Sequence, residues 1–255
     1  MCYDDEARPP DLPVSGGRAR GEDLVLTAAD GNRFAAYAAR PEDSARAGLL
    51  IYPDIRGLHQ FYKELALRFA EAGIAAVAMD YFGRTAGLTS RDEGFEFRPH
   101  VEQLHLSTIL TDAATALEFL RSDIGENQST FALGFCLGGT VSLCTGTEGL
   151  GLSGVIAFYS GFRRVLDEDK GTALDAAVGM RVPTLGLFGG ADAGIPPEQV
   201  QALDEALDGA GVEHEVVIYP GAPHSFFDRR AAEFAAESTD AWRRVLSFME
   251  AHSSE

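Results

Sequence analysis

The stretch STFALGFCLGGT, residues 129–140, runs an apolar segment into Gly134-Phe135-Cys136-Leu137-Gly138 and then straight into a helix-like sequence. A side chain presented at so sharp a strand-to-helix turn needs neighbours two places before and after it that carry no bulk. Otherwise the chain cannot pass the adjacent strand and helix. Gly134 and Gly138 meet that need around Cys136. At the first turn of a helix a thiol also feels unpaired N–H groups and the positive end of the dipole, both of which favour thiolate. Taken alone, the stretch admits two readings: a nucleophile at an elbow, or a small buried thiol beside a glycine-rich bend.

The flanking texture sets the architecture. Nearly continuous apolar runs at 47–52, 73–80, 129–135, 152–159, 182–189 and 215–220 alternate with helix-period segments at Tyr62–Glu71, Leu104–Arg121, Pro197–Leu207 and Asp240–Ala251. Strands apolar on both faces and separated by helices imply a mostly parallel sheet covered on both sides, a three-layer α/β sandwich with its chemistry at the carboxyl ends of the strands. Before the first run, the turn signal in EDLVLTAADGNRFAAYAAR predicts a β-hairpin. Residues 1–21, rich in Pro, Gly and charge, are expected to form an irregular arm, and 22–255 a single domain. The connections at about 82–100 and 160–181 are candidates for a substrate rim, with no separate lid domain.

Acidic residues outnumber basic ones, 39 to 21, for a formal charge of −18. Such a surface repels phosphate backbones and anionic headgroups, which argues against nucleic acid and membrane partners. It also opposes an anionic substrate unless a local cluster of arginines overrides it. Three cysteines, Cys2, Cys136 and Cys144, are too few for a disulfide framework, and with no signal-peptide pattern or membrane-length apolar run the expectation is a cytoplasmic protein. His59, His100, His105, His214 and His252 show no metal-ligand spacing. No metal and no cofactor are expected; the oligomeric state is left open.

Partners for Cys136 come later in the chain. VPTLGLFGGADAGIP puts Asp192 in a loop after one apolar run, and EVVIYPGAPHSFFDRR puts His224 after the next. The order nucleophile, acid, histidine, each after a strand, is the order of an α/β-hydrolase triad. Either residue alone could be a helix cap or a turn residue; together, in that order, they favour the nucleophile reading of Cys136.

The segments GFCLGG, FGGADAGIP, YPGAPHSFF and IYPDIRGL resemble those of the dienelactone hydrolase family of α/β-hydrolases, and the likeness extends from about residue 22 to 250. The resemblance implies a Cys-His-Asp triad of Cys136, His224 and Asp192, and an oxyanion hole of the Leu137 and Ile55 backbone N–H groups. Where the family often has a thiol-engaging glutamate, this chain has Asp54, one methylene shorter. The family's carboxylate-holding arginines find one match in Arg84, beside Phe82. The second is displaced, because Asp228 stands four residues past His224 and Arg229 comes one later; Arg56 is a possible substitute. Tyr159 matches an active-site tyrosine. The implied activity is thiol-dependent opening of a lactone or ester, of carboxymethylenebutenolidase type, through a Cys136 thioester. The expected substrate is a small ester or lactone, with its charge left open. The alternatives are a carboxylesterase for neutral esters and a catalytically silent binding scaffold.

Overall fold

The computed structural model describes residues 7–10, 16–125 and 127–254. Cys2 and most of the expected N-terminal arm lie outside them. The elements follow the chain as β1 (Ala19–Thr27), β2 (Arg33–Pro41), β3 (Ala47–Tyr52), α1 (Gln60–Glu71), β4 (Ile74–Met79), α2 (Gly83–Ala86), α3 (Arg98–Val101), α4 (Leu106–Ile124) and β5 (Thr130–Phe135). They continue with α5 (Leu137–Thr145), β6 (Gly154–Phe158), α6 (Ala173–Val178), β7 (Thr184–Gly189), α7 (Pro197–Ala210), β8 (His214–Tyr219) and α8 (Ala235–Ala251).

Eight strands form one sheet in the order β1-β2-β4-β3-β5-β6-β7-β8. From β4 to β8 all pairings are parallel; β2 pairs antiparallel with both β1 and β4 and is the one strand that runs against the others. Every residue of β3, β4, β5, β6 and β7 is buried, so both faces of the central sheet are covered and helices must lie on either side. On the sheet's flanks α1 and α8 meet through the Phe69 and Trp242 rings, 4.6 Å apart, and α6 packs on α5 and α7. The fold is the expected α/β sandwich.

The differences are local. β1 begins at Ala19, inside the segment expected to be irregular, because its ladder follows β2 to the pair Ala19↔Pro41. Its residues are mostly exposed, so backbone pairing rather than an apolar pattern makes it a strand. The connection 82–100 contains the short helices α2 and α3, and 160–181 contains α6, started by a reciprocal capping box between Thr172 and Asp175. Among the described residues no helix is long and apolar enough to cross a membrane.

Candidate active site

Cys136 follows β5 and caps α5 with φ 55° and ψ −113°, a conformation that favours glycine. The turn tolerates no bulk on either side. A Cβ on Gly134 would stand 1.9 Å from the Gly138 carbonyl oxygen, and one on Gly138 would stand 2.2 Å from that of Tyr52. The elbow is tied to the next strand by the Cys136 N–H, which donates to the Phe158 carbonyl at 3.0 Å. Cys136 is half-buried, whereas Cys144, two turns along α5, is buried and its thiol is pushed up to about 12 by that burial.

Only three non-glycine residues among those described have positive φ: Cys136, Tyr159 (35°) and Ser225 (61°). Tyr159 follows β6, and Ser225 follows His224 in the loop after β8. Backbone strain thus concentrates at the carboxyl edge of the sheet, where the three chemistry-bearing loops emerge.

Asp192 follows β7, and its Oδ2 lies 2.5 Å from His224 Nδ1. Burial pushes the Asp192 carboxyl up. The His224 hydrogen bond and charge, with the Gly194 amide at 2.8 Å, outweigh it and hold the group below the usual carboxylate range. Tyr159 stands over the imidazole, ring centroids 4.8 Å apart, while its hydroxyl donates to Asp228 Oδ2 at 2.8 Å. The structure therefore brings Asp192, His224 and Tyr159 together, and the sheet order sets the strand ending at Cys136 directly beside the one ending at Tyr159.

Leu137 opens α5 and Ile55 lies in the loop after β3, the strand on the other side of β5. Their N–H groups thus come from turns adjoining Cys136. Asp54 is buried in the same loop, and its Oδ1 accepts the Arg56 N–H at 2.8 Å, closing the turn on itself. His59 Nε2 lies 3.6 Å from that same oxygen, and the Asp54 N–H donates to the Tyr62 hydroxyl at 2.9 Å. Burial drives the Tyr62 and Tyr81 hydroxyls well above the ordinary phenol range, and the Asp54 carboxylate adds to both. The two phenols stay neutral around the loop that carries Asp54.

The residues expected to hold substrate are not assembled as the resemblance implies. Arg84 donates to Asp30 and to Asp112, each at 2.7 Å, and Asp112 is fixed in turn by Asn32 at 2.9 Å. Asp30 and Asn32 lie in the β1–β2 turn, so this guanidinium is drawn to the far side of β3 from Cys136. Phe82 is fully buried and packs on Phe95 and Arg91, a core position. Arg229 is exposed and opens on a separate cavity of about 550 Å³, lined in part by Arg8, Pro9 and Pro10. Arg56 does reach a cavity beside the site, one of about 350 Å³ lined by Ile55, Arg56, Phe97, Arg98, Val101, Glu102 and Arg164. Arg98 and Arg164 escape sequence reasoning. Their only signal is position within the two long connections.

Among the described residues no cluster of three or more His, Cys, Asp or Glu side chains could hold a metal ion. The arrangement can polarise an imidazole through a carboxylate, on loops at the same sheet edge as a half-buried thiol.

Comparison with known proteins points to one family. The model of the dienelactone hydrolase family matches residues 34–253. A Salmonella typhimurium protein provisionally named a carboxymethylenebutenolidase is 27% identical over 246 residues, 94% of this chain and 88% of that one. An Escherichia coli K12 protein with the same provisional name is 28% identical over 224 residues, 86% and 82% of the two chains. A solved structure from Klebsiella pneumoniae, provisionally named a dienelactone hydrolase, superposes with a TM-score of 0.80 at 24% identity, covering 91% of this chain and 98% of that one.

Proposed function

The chain belongs to the dienelactone hydrolase family of α/β-hydrolases, and on that premise we propose that it opens a lactone or ester through a thioester on Cys136, with carboxymethylenebutenolidase-type chemistry. The observation that carries this reading is the Asp192–His224 pair, 2.5 Å between Oδ2 and Nδ1, on the loops two and three strands along from the Cys136 elbow.

Asp192 holds the imidazole with Nδ1 as the donor, leaving Nε2 to take the Cys136 proton. The thiolate attacks the carbonyl carbon, and the oxyanion that forms is stabilised by the Leu137 and Ile55 N–H groups; losing one such donor typically costs about 10²–10³ in turnover. Collapse breaks the carbon–oxygen bond, and His224 returns its proton to the departing alkoxide, which in a lactone stays on the same molecule. Water, deprotonated by His224, then attacks the thioester, releases the carboxylic acid and restores the thiol.

A carboxylesterase for neutral esters is the second reading, favoured by the capture of Arg84 by Asp30 and Asp112. Both readings share the nucleophile. The test is turnover of dienelactone and of simple aryl esters by the pure protein and its Cys136→Ala variant, with mass spectrometry of the quenched enzyme. Loss of turnover in the variant and an acyl adduct on Cys136 are expected; turnover that survives Cys136→Ala would overturn the proposal.

A further inference from the structure

The cavity beside Ile55 is placed by the sheet. In the strand order, β3 and β6 flank β5, the strand that ends at Cys136. The loop after β3 supplies Ile55 and Arg56, the loop after β6 supplies Arg164, and α3 supplies Arg98, Val101 and, at its end, Glu102. The cavity is thus bounded by the loops of both strands that neighbour β5. One of its walls is the residue whose N–H is the candidate oxyanion donor.

Its charge is opposite to that of the chain. Three guanidinium groups face it against one carboxylate, Glu102, in a protein whose acidic residues exceed the basic ones by 39 to 21. Such a local reversal inside a concave wall concentrates an anion that the remaining surface repels. Arg56 is buried and held from behind: its Nη2 donates to the Asp92 carbonyl at 3.3 Å, and its guanidinium carbon lies 5.8 Å from the Phe97 ring centroid. Arg98 and Arg164 are exposed at the rim. Phe97, Val101 and Ile55 supply an apolar floor, so the cavity suits a carboxylate carried on a short hydrocarbon or aromatic body.

The positions that the family resemblance implies for this task are both unavailable. Arg84 is bound by Asp30 and Asp112, and the residue four past His224 is Asp228, a buried carboxylate engaged by Tyr159.

We propose that Arg56, Arg98 and Arg164 form the specificity-determining subsite of this enzyme, taking the carboxylate of an ester or lactone whose carbonyl sits at Cys136. The proposal rests on the hydrolase reading above. Guanidinium groups suit it because their planar forks hold a carboxylate by paired hydrogen bonds.

The experiment measures kcat/KM for 4-nitrophenyl hemisuccinate, which is anionic, and for neutral 4-nitrophenyl butyrate of similar length, with the full-length protein and its Arg98→Gln, Arg164→Gln and Arg84→Gln variants. The ratio of anionic to neutral kcat/KM is expected to fall about tenfold in Arg98→Gln and Arg164→Gln, since each removes a charged hydrogen bond, and to hold in Arg84→Gln. Raising salt should lower the wild-type ratio, because rim charges are screened. A ratio unmoved by the two rim variants, or one that falls in Arg84→Gln instead, overturns the subsite while leaving the hydrolase intact. Absence of Cys136-dependent turnover of both esters overturns the hydrolase reading and the subsite with it.

Discussion

The Tyr159 hydroxyl donates to Asp228 Oδ2 at 2.8 Å while the same ring stands 4.8 Å from the imidazole of His224, so one side chain links a buried carboxylate to the proposed base. Asp228 is further held by the Arg229 N–H. Tyr159→Phe keeps the ring and removes the donor, leaving a buried carboxylate short of a partner. Its expected cost is about 1.5–3 kcal/mol in urea unfolding, with kcat little changed. Tyr159→Ala removes the wall against His224 as well, and kcat is expected to drop about tenfold or more. Equal kcat values for the two variants would disprove the positioning role of the ring.

Asp192 links stability to pH in a definite direction. Burial raises its carboxyl, but His224 and the Gly194 amide prevail and hold it below the ordinary range. With the native value below the unfolded one, the ionised group stabilises the fold above the unfolded pKa of about 3.9, and that stability is lost as pH falls through the native value. The gap in unfolding free energy between the wild type and Asp192→Asn should therefore narrow on acidification below about pH 4. At neutral pH the same substitution should lower kcat by about 10³–10⁴, because Asn favours the wrong imidazole tautomer. A gap that is flat with pH, measured by urea unfolding, would contradict the first expectation.

Cys136 has φ 55° and ψ −113°, which glycine adopts without cost and cysteine does not. Cys136→Gly should raise the unfolding free energy by about 1 kcal/mol while abolishing turnover. A less stable variant would show that the thiol's contacts outweigh the strain.

Arg84 should prove to be a stability residue. Asp112 is buried and its carboxyl lies above the ordinary range: burial raises it more than Asn32 and Arg84 lower it. Arg84→Gln removes the charge partner, so a loss of about 1–3 kcal/mol is expected at neutral pH. The sign follows from an acid whose native pKa is raised: the penalty belongs to the ionised form and fades as pH falls and Asp112 takes a proton. Thermal melts at pH 7 and pH 4.5 would check it, and a larger loss at the lower pH would refute it.

The elbow, the sheet and the ordered Cys136, Asp192 and His224 were legible in the sequence because each rests on local chemistry. Gly134 is demanded by the Gly138 carbonyl within the same turn and Gly138 by the Tyr52 carbonyl of the neighbouring strand, the apolar runs by burial on both faces, and the order of the three residues by their places after β5, β7 and β8. β1 was only half legible, since an edge strand paired through its backbone carries no apolar signature.

What tertiary structure alone decided is which arginine faces which partner. Arg84 matched its expected place along the chain, yet Asp30 in a distant turn and Asp112 on α4 take its guanidinium, while Arg56, Arg98 and Arg164, spread over more than a hundred residues, meet at one cavity. A long flexible side chain ends several bonds from its Cα, and its direction is set by whichever opposite charge folding brings within reach. Spacing in the sequence carries no record of that choice.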